Sequence, residues 1–315
     1  MSKFAFIFPG QGSQFIGMGK DLADAFPAAK AVFQAVDEAL GQDLSGLIWT
    51  GRDEDLKLTA NTQPALMAVS VAAMRALESE FGIDTDSAAF VAGHSLGEYS
   101  ALAAMGAMSL SDCAKVLRIR GNAMQAAVPA GQGAMAALLG ASPEQAAELC
   151  ALAGKLGPCE TANDNAPGQI VISGAKAAIE LACANAKALG IKKAVPLSVS
   201  APFHCSLMQP AADAMAQALA EITITAPRVP LVANVTATAG TDPNAIRAQL
   251  VEQVTGQVRW TETVQYIAGH GVGLTIEAGA GKVLSVMNRR TVRELEGLTM
   301  GTPDEIEAVV TRLNS

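Results

Sequence analysis

Half of the 315 residues are apolar but only 4% are aromatic, so the core must be built mainly from Ala, Leu, Val, Ile and Met, in one large domain or one domain carrying a smaller insertion. Thirty acidic against 22 basic residues leave a net charge of −8, which argues against nucleic acid or an anionic membrane as the main partner. No run reaches the roughly eighteen uninterrupted apolar residues of a membrane span, and the N-terminal apolar stretch is too short for a signal peptide.

In chain order, FAFIFPG (4–10) reads as a buried strand ended by Pro-Gly, and a helical period follows from about residue 21 to 40. Residues 62–82 form a second long helix closed by Gly82. AAFVAG (88–93) is a strand and LGEYSALAAMGAM (96–108) a helix, with Ser95 on the turn between them. Another helix spans 110–128, opened by Ser109 or Ser111 and stopped before Pro129. Strands alternating with helices of this length indicate an α/β sandwich around a mostly parallel sheet.

The texture changes near residue 130. A strand (133–140), a helix (142–154, with Ser142 as N-cap and Pro143 at its first position), two short strands (159–174), a helix (175–190) and a strand (192–199) follow one another. That β-α-β-β-α-β order is a split βαβ unit, and between two α/β segments it reads as an inserted subdomain. A helix (205–221), a strand (229–235), helices at 243–255 and 260–269, a strand (273–279) and a final helix, strand and helix complete the chain.

GHSLG (93–97) fits G-x-S-x-G in the strand–turn–helix context that the motif requires. A sharp elbow would lift the Ser95 hydroxyl out of the fold at a helix N-terminus, where the Leu96 N–H can stabilise an oxyanion. The bland alternative is an ordinary serine N-cap. Three histidines could serve as base. His94 should diverge from Ser95 at an elbow and support it from beneath. His270, at a helix end, is accounted for by the helix dipole. His204 follows Pro202 where a strand gives way to a helix, and so faces the ligand end of a parallel sheet. His204 is therefore the base preferred here, and a serine hydrolase pairing Ser95 with His270 is the alternative. No acidic third member is evident, and a backbone carbonyl can fix the tautomer instead.

PGQGSQFIGMG (9–19) is not a nucleotide loop: Phe15 stands where G-x-G-x-x-G needs glycine, and Met18 where a P-loop needs lysine. EAGAGKVLS (277–285) fails at Ile276 and Val283. The turn at Gly10–Gly12 still brings the Gln11 N–H within reach of a ligand, as a second oxyanion donor. The five cysteines (Cys113, Cys150, Cys159, Cys183, Cys205) form no C-x-x-C pair, and the histidines lie far apart in sequence, so free thiols in the cytoplasm and no metal site are expected.

Together FPGQGSQ (8–14), NTQPAL (61–66), GHSLGEYSAL (93–102), RGNAMQ (120–125), ANDNAPGQIVISG (162–174), PLSVSAPFHCSLMQPAAD (196–213), NVTA (234–237), QVTGQVRWTETV (253–264) and EAGAGKVL (277–284) resemble the malonyl-CoA:acyl carrier protein transacylases of type II fatty acid synthesis, in the family's order and over nearly the whole chain. The resemblance implies an α/β-hydrolase-like core with a parallel sheet (1–129 and 199–315) and an inserted ferredoxin-like subdomain (130–198). It implies a malonyl-Ser95 intermediate, His204 as base, the Gln253 main-chain carbonyl orienting that base, and the Gln11 and Leu96 amides as oxyanion hole. Arg120 would pair with the malonyl carboxylate, and Phe203 and Asn163 would line the acyl site. Phe203 departs from the small residue of some members, so malonyl is expected over methylmalonyl. Lys192 and Lys193 fall where the family carries basic residues for the acidic carrier protein. The partners implied are coenzyme A thioesters and acyl carrier protein with its phosphopantetheine arm, without a permanent cofactor, in a monomer.

Overall fold

The computed structural model describes residues 3–315. Its strands in chain order are β1 (Lys3–Phe8), β2 (Phe90–Gly93), β3 (Gly133–Leu139), β4 (Cys159–Ala166), β5 (Gln169–Ala175), β6 (Lys193–Pro196), β7 (Leu231–Val232), β8 (Ala239–Gly240), β9 (Val258–Arg259), β10 (Val272–Ala278) and β11 (Glu296–Met300). The larger sheet runs β11-β10-β1-β2-β7-β8, parallel except for β8. The smaller runs β6-β3-β5-β4-β9, antiparallel except where β9 joins β4.

A central parallel strand is covered on both faces and must be apolar on both. β1 meets that demand by alternation. Phe4, Phe6 and Phe8 enter the core beneath the helix Thr59–Phe81, whereas Ala5 and Ile7 pack with Val264, Ile267 and Leu284 on the other face. Burying each phenylalanine contributes roughly 2–3 kcal/mol. The helix Thr59–Phe81 is buried around most of its circumference, and with that go the small and apolar residues on nearly every side.

Several sequence expectations need correction. The helix expected over 21–40 is two, Lys20–Ala25 and Pro27–Leu40, because Phe26 is extended (φ −126°) and Pro27 starts a new helix at its first position. Short helices at Leu44–Thr50 and Asp53–Leu56 were not expected, and the next begins at Thr59 rather than 62. The helix after Ser95 ends at Ala104, and Ser109, not Ser111, caps the helix Leu110–Ala126. The strand expected over 192–199 is only Lys193–Pro196, and that over 229–235 only Leu231–Val232. The small β-α-β-β-α-β unit has the expected element order, but its sheet gains a fifth strand, β9, from the rest of the chain. No described helix is long and apolar enough to cross a membrane.

Candidate active site

Phe8 and Gly93 are register partners at the carboxyl ends of β1 and β2, so the loops that follow leave the same edge of the sheet side by side. The His94 N–H donates to Phe8 O at 3.0 Å. Ligands of open parallel sheets bind at this edge. Ser95 sits here in the left-handed region (φ 53°), the strained geometry of an elbow. The flanking glycines are there for space. A Cβ on Gly93 would lie 1.9 Å from the Gly97 carbonyl carbon, and one on Gly97 2.2 Å from Phe8 O.

His204 comes to the same point from the segment after β6, and it too has a positive φ (58°). Its Nδ1 faces two carbonyl oxygens, of Gln253 at 2.9 Å and Gly256 at 3.1 Å, so Nδ1 must carry the proton. Nε2 is then an acceptor, and the Ser95 hydroxyl, 2.8 Å away, donates to it. Burial, with the Arg120 charge adding to it, pushes the His204 imidazole down to about 3, so the ring is neutral at ordinary pH.

Arg120 is 1% exposed, on the helix Leu110–Ala126. Its Nη2 donates to Ser95 Oγ at 3.1 Å and to Gln253 Oε1 at 2.8 Å, and its Nη1 to Gln63 Oε1 at 2.9 Å. The guanidinium lies over the Tyr99 ring, 5.5 Å from its centroid, and its Nε–H is buried without an acceptor among the described residues. Arg118, two residues earlier, turns away to Asn61 and Gln42.

One cavity brings Ser95, His204, Arg120, Phe203, Asn163 and the Gln11–Leu96 pair together, with Met124, Met135, Leu197 and Val199 supplying apolar wall. Neither the Gln11 nor the Leu96 amide donates to a backbone acceptor among the described residues. A serine hydroxyl donating to a neutral imidazole, with a buried cation beside it and two backbone amides on adjoining loops, can attack a carbonyl and hold the resulting oxyanion.

His94 does not share in this pairing. Its Nε2 meets Asn165 Oδ1 at 2.8 Å and its ring lies tilted toward that of Trp260 at 5.7 Å, but it lines the same cavity and does not sit beneath the elbow as expected. His270 is at the far edge of the sheet, against Tyr266 and Phe90, where Lys3 at the start of β1 reaches its carbonyl. The alternative Ser95–His270 pair is thereby excluded by placement. Cys205 is fully buried, with Sγ 3.1 Å from Pro202 O, and all five cysteines are free thiols. Lys192 and Lys193 are exposed at the edge strand of the smaller sheet, outside the cavity lining.

Sequence reasoning assigned no role to Gln63, Asn234 or Glu98. Asn234 Oδ1 accepts from the Ser95 N–H at 2.8 Å while its Nδ2 donates to Gly93 O at 2.7 Å, clamping both sides of the elbow. Gln63 is one of several buried polar side chains on its helix, with Thr59, Asn61, Thr62 and Ser70, so no signal in the sequence marks it out.

Residues 5–312 match the family model of the acyl transferase domain. The malonyl CoA-acyl carrier protein transacylase of Bacillus subtilis is 46% identical over 316 aligned residues, 99% of this chain and 98% of the relative. The crystal structure of the acyl-carrier-protein S-malonyltransferase from Bartonella henselae superposes with a TM-score of 0.97 at 53% identity, over 99% of this chain and 100% of that one. A malonyl-transacylase solved in complex with a type II PKS acyl-carrier protein superposes with a TM-score of 0.95 at 41% identity, over 99% and 100% of the two chains.

Proposed function

The chain belongs to the acyl transferase domain family, and on that premise we infer that it is an acyltransferase moving a malonyl group from malonyl-CoA to acyl carrier protein. The observation that carries the site assignment is the Ser95 hydroxyl held between His204 Nε2 and Arg120 Nη2.

In this reading His204 Nε2 takes the Ser95 proton as Oγ attacks the thioester carbonyl. The Gln11 and Leu96 amides receive the oxyanion, each such donor lowering the barrier by about 3 kcal/mol. The C–S bond breaks, and the proton on His204 passes to the departing coenzyme A thiolate. The phosphopantetheine thiol of the carrier then gives its proton to His204, attacks the malonyl-serine and restores Ser95. The Gln253 and Gly256 carbonyls keep the base in the tautomer that both half-reactions need. Both steps use one site in turn, so the kinetics are ping-pong, with no cofactor beyond the two thiol carriers.

Arg120 pairs with the free carboxylate of the acyl group, for which its planar fork is suited. Asn163 and Phe203 shape the acyl pocket, and Lys192 and Lys193 give a net-acidic protein local positive charge for an acidic carrier. The site is complete within one chain, which suits a monomer, and five free thiols suit the cytoplasm. The parallel sheet with its serine elbow supports an α/β-hydrolase-like core for 1–129 and 199–315. The β6-β3-β5-β4 order supports a ferredoxin-like unit for 130–198.

Intact-protein mass spectrometry after brief mixing with malonyl-CoA, with peptide mapping, tests the reading. A malonyl adduct on Ser95, discharged by a carrier-protein thiol and only slowly by water, is expected. Absence of the adduct, or equal loss without the thiol, would overturn it.

A further inference from the structure

Among the described residues, Glu98 is the buried carboxylate beside the site that the transfer chemistry leaves without a task. It lies in the first turn after the elbow and is 1% exposed. One oxygen accepts from the Asn234 main-chain N–H at 2.5 Å, and the other accepts from Gln253 Nε2. Both oxygens thus face donors and both serve as acceptors. Burial pushes the carboxyl up to about 8, and the Asn234 and Gln253 hydrogen bonds and the Arg120 charge oppose that push.

Its two partners are the residues that hold the reacting groups. Asn234 clamps the elbow through Ser95 N and Gly93 O. Gln253 holds His204 with its main-chain carbonyl, Arg120 with Oε1 and Ser95 O with Nε2. We propose that Glu98 is a positioning residue for the acyl transfer described above, its two carboxylate oxygens fixing Asn234 and Gln253 and through them the registration of Ser95, His204 and Arg120.

The donor pattern makes this testable. In Glu98→Gln the side chain keeps its shape but offers one oxygen and one NH2 to two donors, so one N–H must face another. Gln253→Met removes the second donor while leaving the main-chain carbonyl in place, and the introduced amide could then turn its oxygen to Asn234 without conflict. The expected result is that Glu98→Gln alone slows malonyl-Ser95 formation about tenfold, yet slows it less than about twofold when added to Gln253→Met. Equal losses in both backgrounds, or no loss in the wild type, would overturn the proposal, because a purely structural role is indifferent to the donor on Gln253.

Melting temperatures of the same four proteins read the coupling without any activity. Glu98→Gln should lower the melting temperature of the wild type and leave that of Gln253→Met nearly unchanged. Should Glu98→Gln fail to fold, recovery of folding in the double variant supports the donor clash, and failure of the double variant overturns it. A wild type that takes no malonyl while the melting temperatures still couple would count against the transfer reading and leave the positioning of Asn234 and Gln253 standing.

Discussion

Arg120 Nη2 donates to Ser95 Oγ over 3.1 Å from a guanidinium that is 1% exposed and whose other hydrogen-bonding partners are the neutral amides of Gln63 and Gln253. Its direct acceptors are neutral, so only the nearby Glu98 carboxyl offsets its charge within the fold. In the reading proposed above, that charge, 3.1 Å from the nucleophile, selects an acyl group carrying its own carboxylate.

Arg120→Ala should therefore separate acyl groups rather than abolish acylation. Losing one partner of a buried charged pair costs roughly 2–5 kcal/mol, so kcat/KM for malonyl-CoA should fall by at least about 30-fold. Acetyl-CoA, with no carboxylate to lose its partner, should suffer less. Steady-state rates with both thioesters check this, and an equal fall for the two would remove the assignment.

The acid limb of the reaction should lie far below the ordinary histidine range. His204 is pushed down to about 3, first by burial and then by the Arg120 charge, with His94 adding to it and the Gln253 and Gly256 carbonyls opposing. The neutral base needed for attack thus persists as pH falls through 6.5. Malonyl-Ser95 formation at low malonyl-CoA, followed from about pH 8 to about pH 5, should show no half-loss near 6.5. Once a malonyl carboxylate neutralises Arg120, one cause of the depression weakens, so the limb in kcat should lie above that in kcat/KM. Stability follows the same sign. The unfolded chain protonates this histidine near 6.5 and the folded one only near 3, so its contribution is present above 6.5 and is lost as pH falls between those values.

What the sequence made legible was local. FAFIF declares a two-faced buried strand, and GHSLG brings its own elbow because only glycine fits at both ends. Pro27 carried a readable stop signal, yet the helical period on either side of Phe26 hides the break unless the proline is given priority. The two-residue β9 and the helix Asp53–Leu56 are too short to show any period. Asn234 and Glu98 act through hydrogen bonds to residues 139 and 136 positions away, and spacing along a chain cannot announce such partners.

Phe203, 9% exposed, lines the cavity beside His204, Met124 and Met135. A ring of that bulk in the proposed acyl pocket would crowd a branch on the acyl chain. Phe203→Ser should raise methylmalonyl transfer relative to malonyl, at a stability cost approaching the roughly 3–5 kcal/mol of a large truncation. Competition between the two thioesters, read by adduct mass, measures the ratio. No gain for methylmalonyl would show that the ring is not the barrier.

The elbow glycines should be intolerant for reasons unrelated to chemistry. In Gly97→Ala the new Cβ would meet Phe8 O at 2.2 Å and Pro9 O at 3.2 Å, both backbone atoms of the strand on which the site is built and the loop that leaves it. Neither can swing aside as a side chain would, so β1 and the helix Gly97–Ala104 must separate. Overpacking of this kind costs typically 1–3 kcal/mol and here should reach at least the upper end. Gly154→Ala is the matched control, because that glycine is helical (φ −58°) with nothing within 4 Å of the added carbon. It should be neutral or slightly stabilising by restricting the unfolded chain. Chemical denaturation of the two variants reads the contrast directly. If Gly97→Ala kept wild-type stability, the close approach of elbow and strand would not be the reason for glycine there.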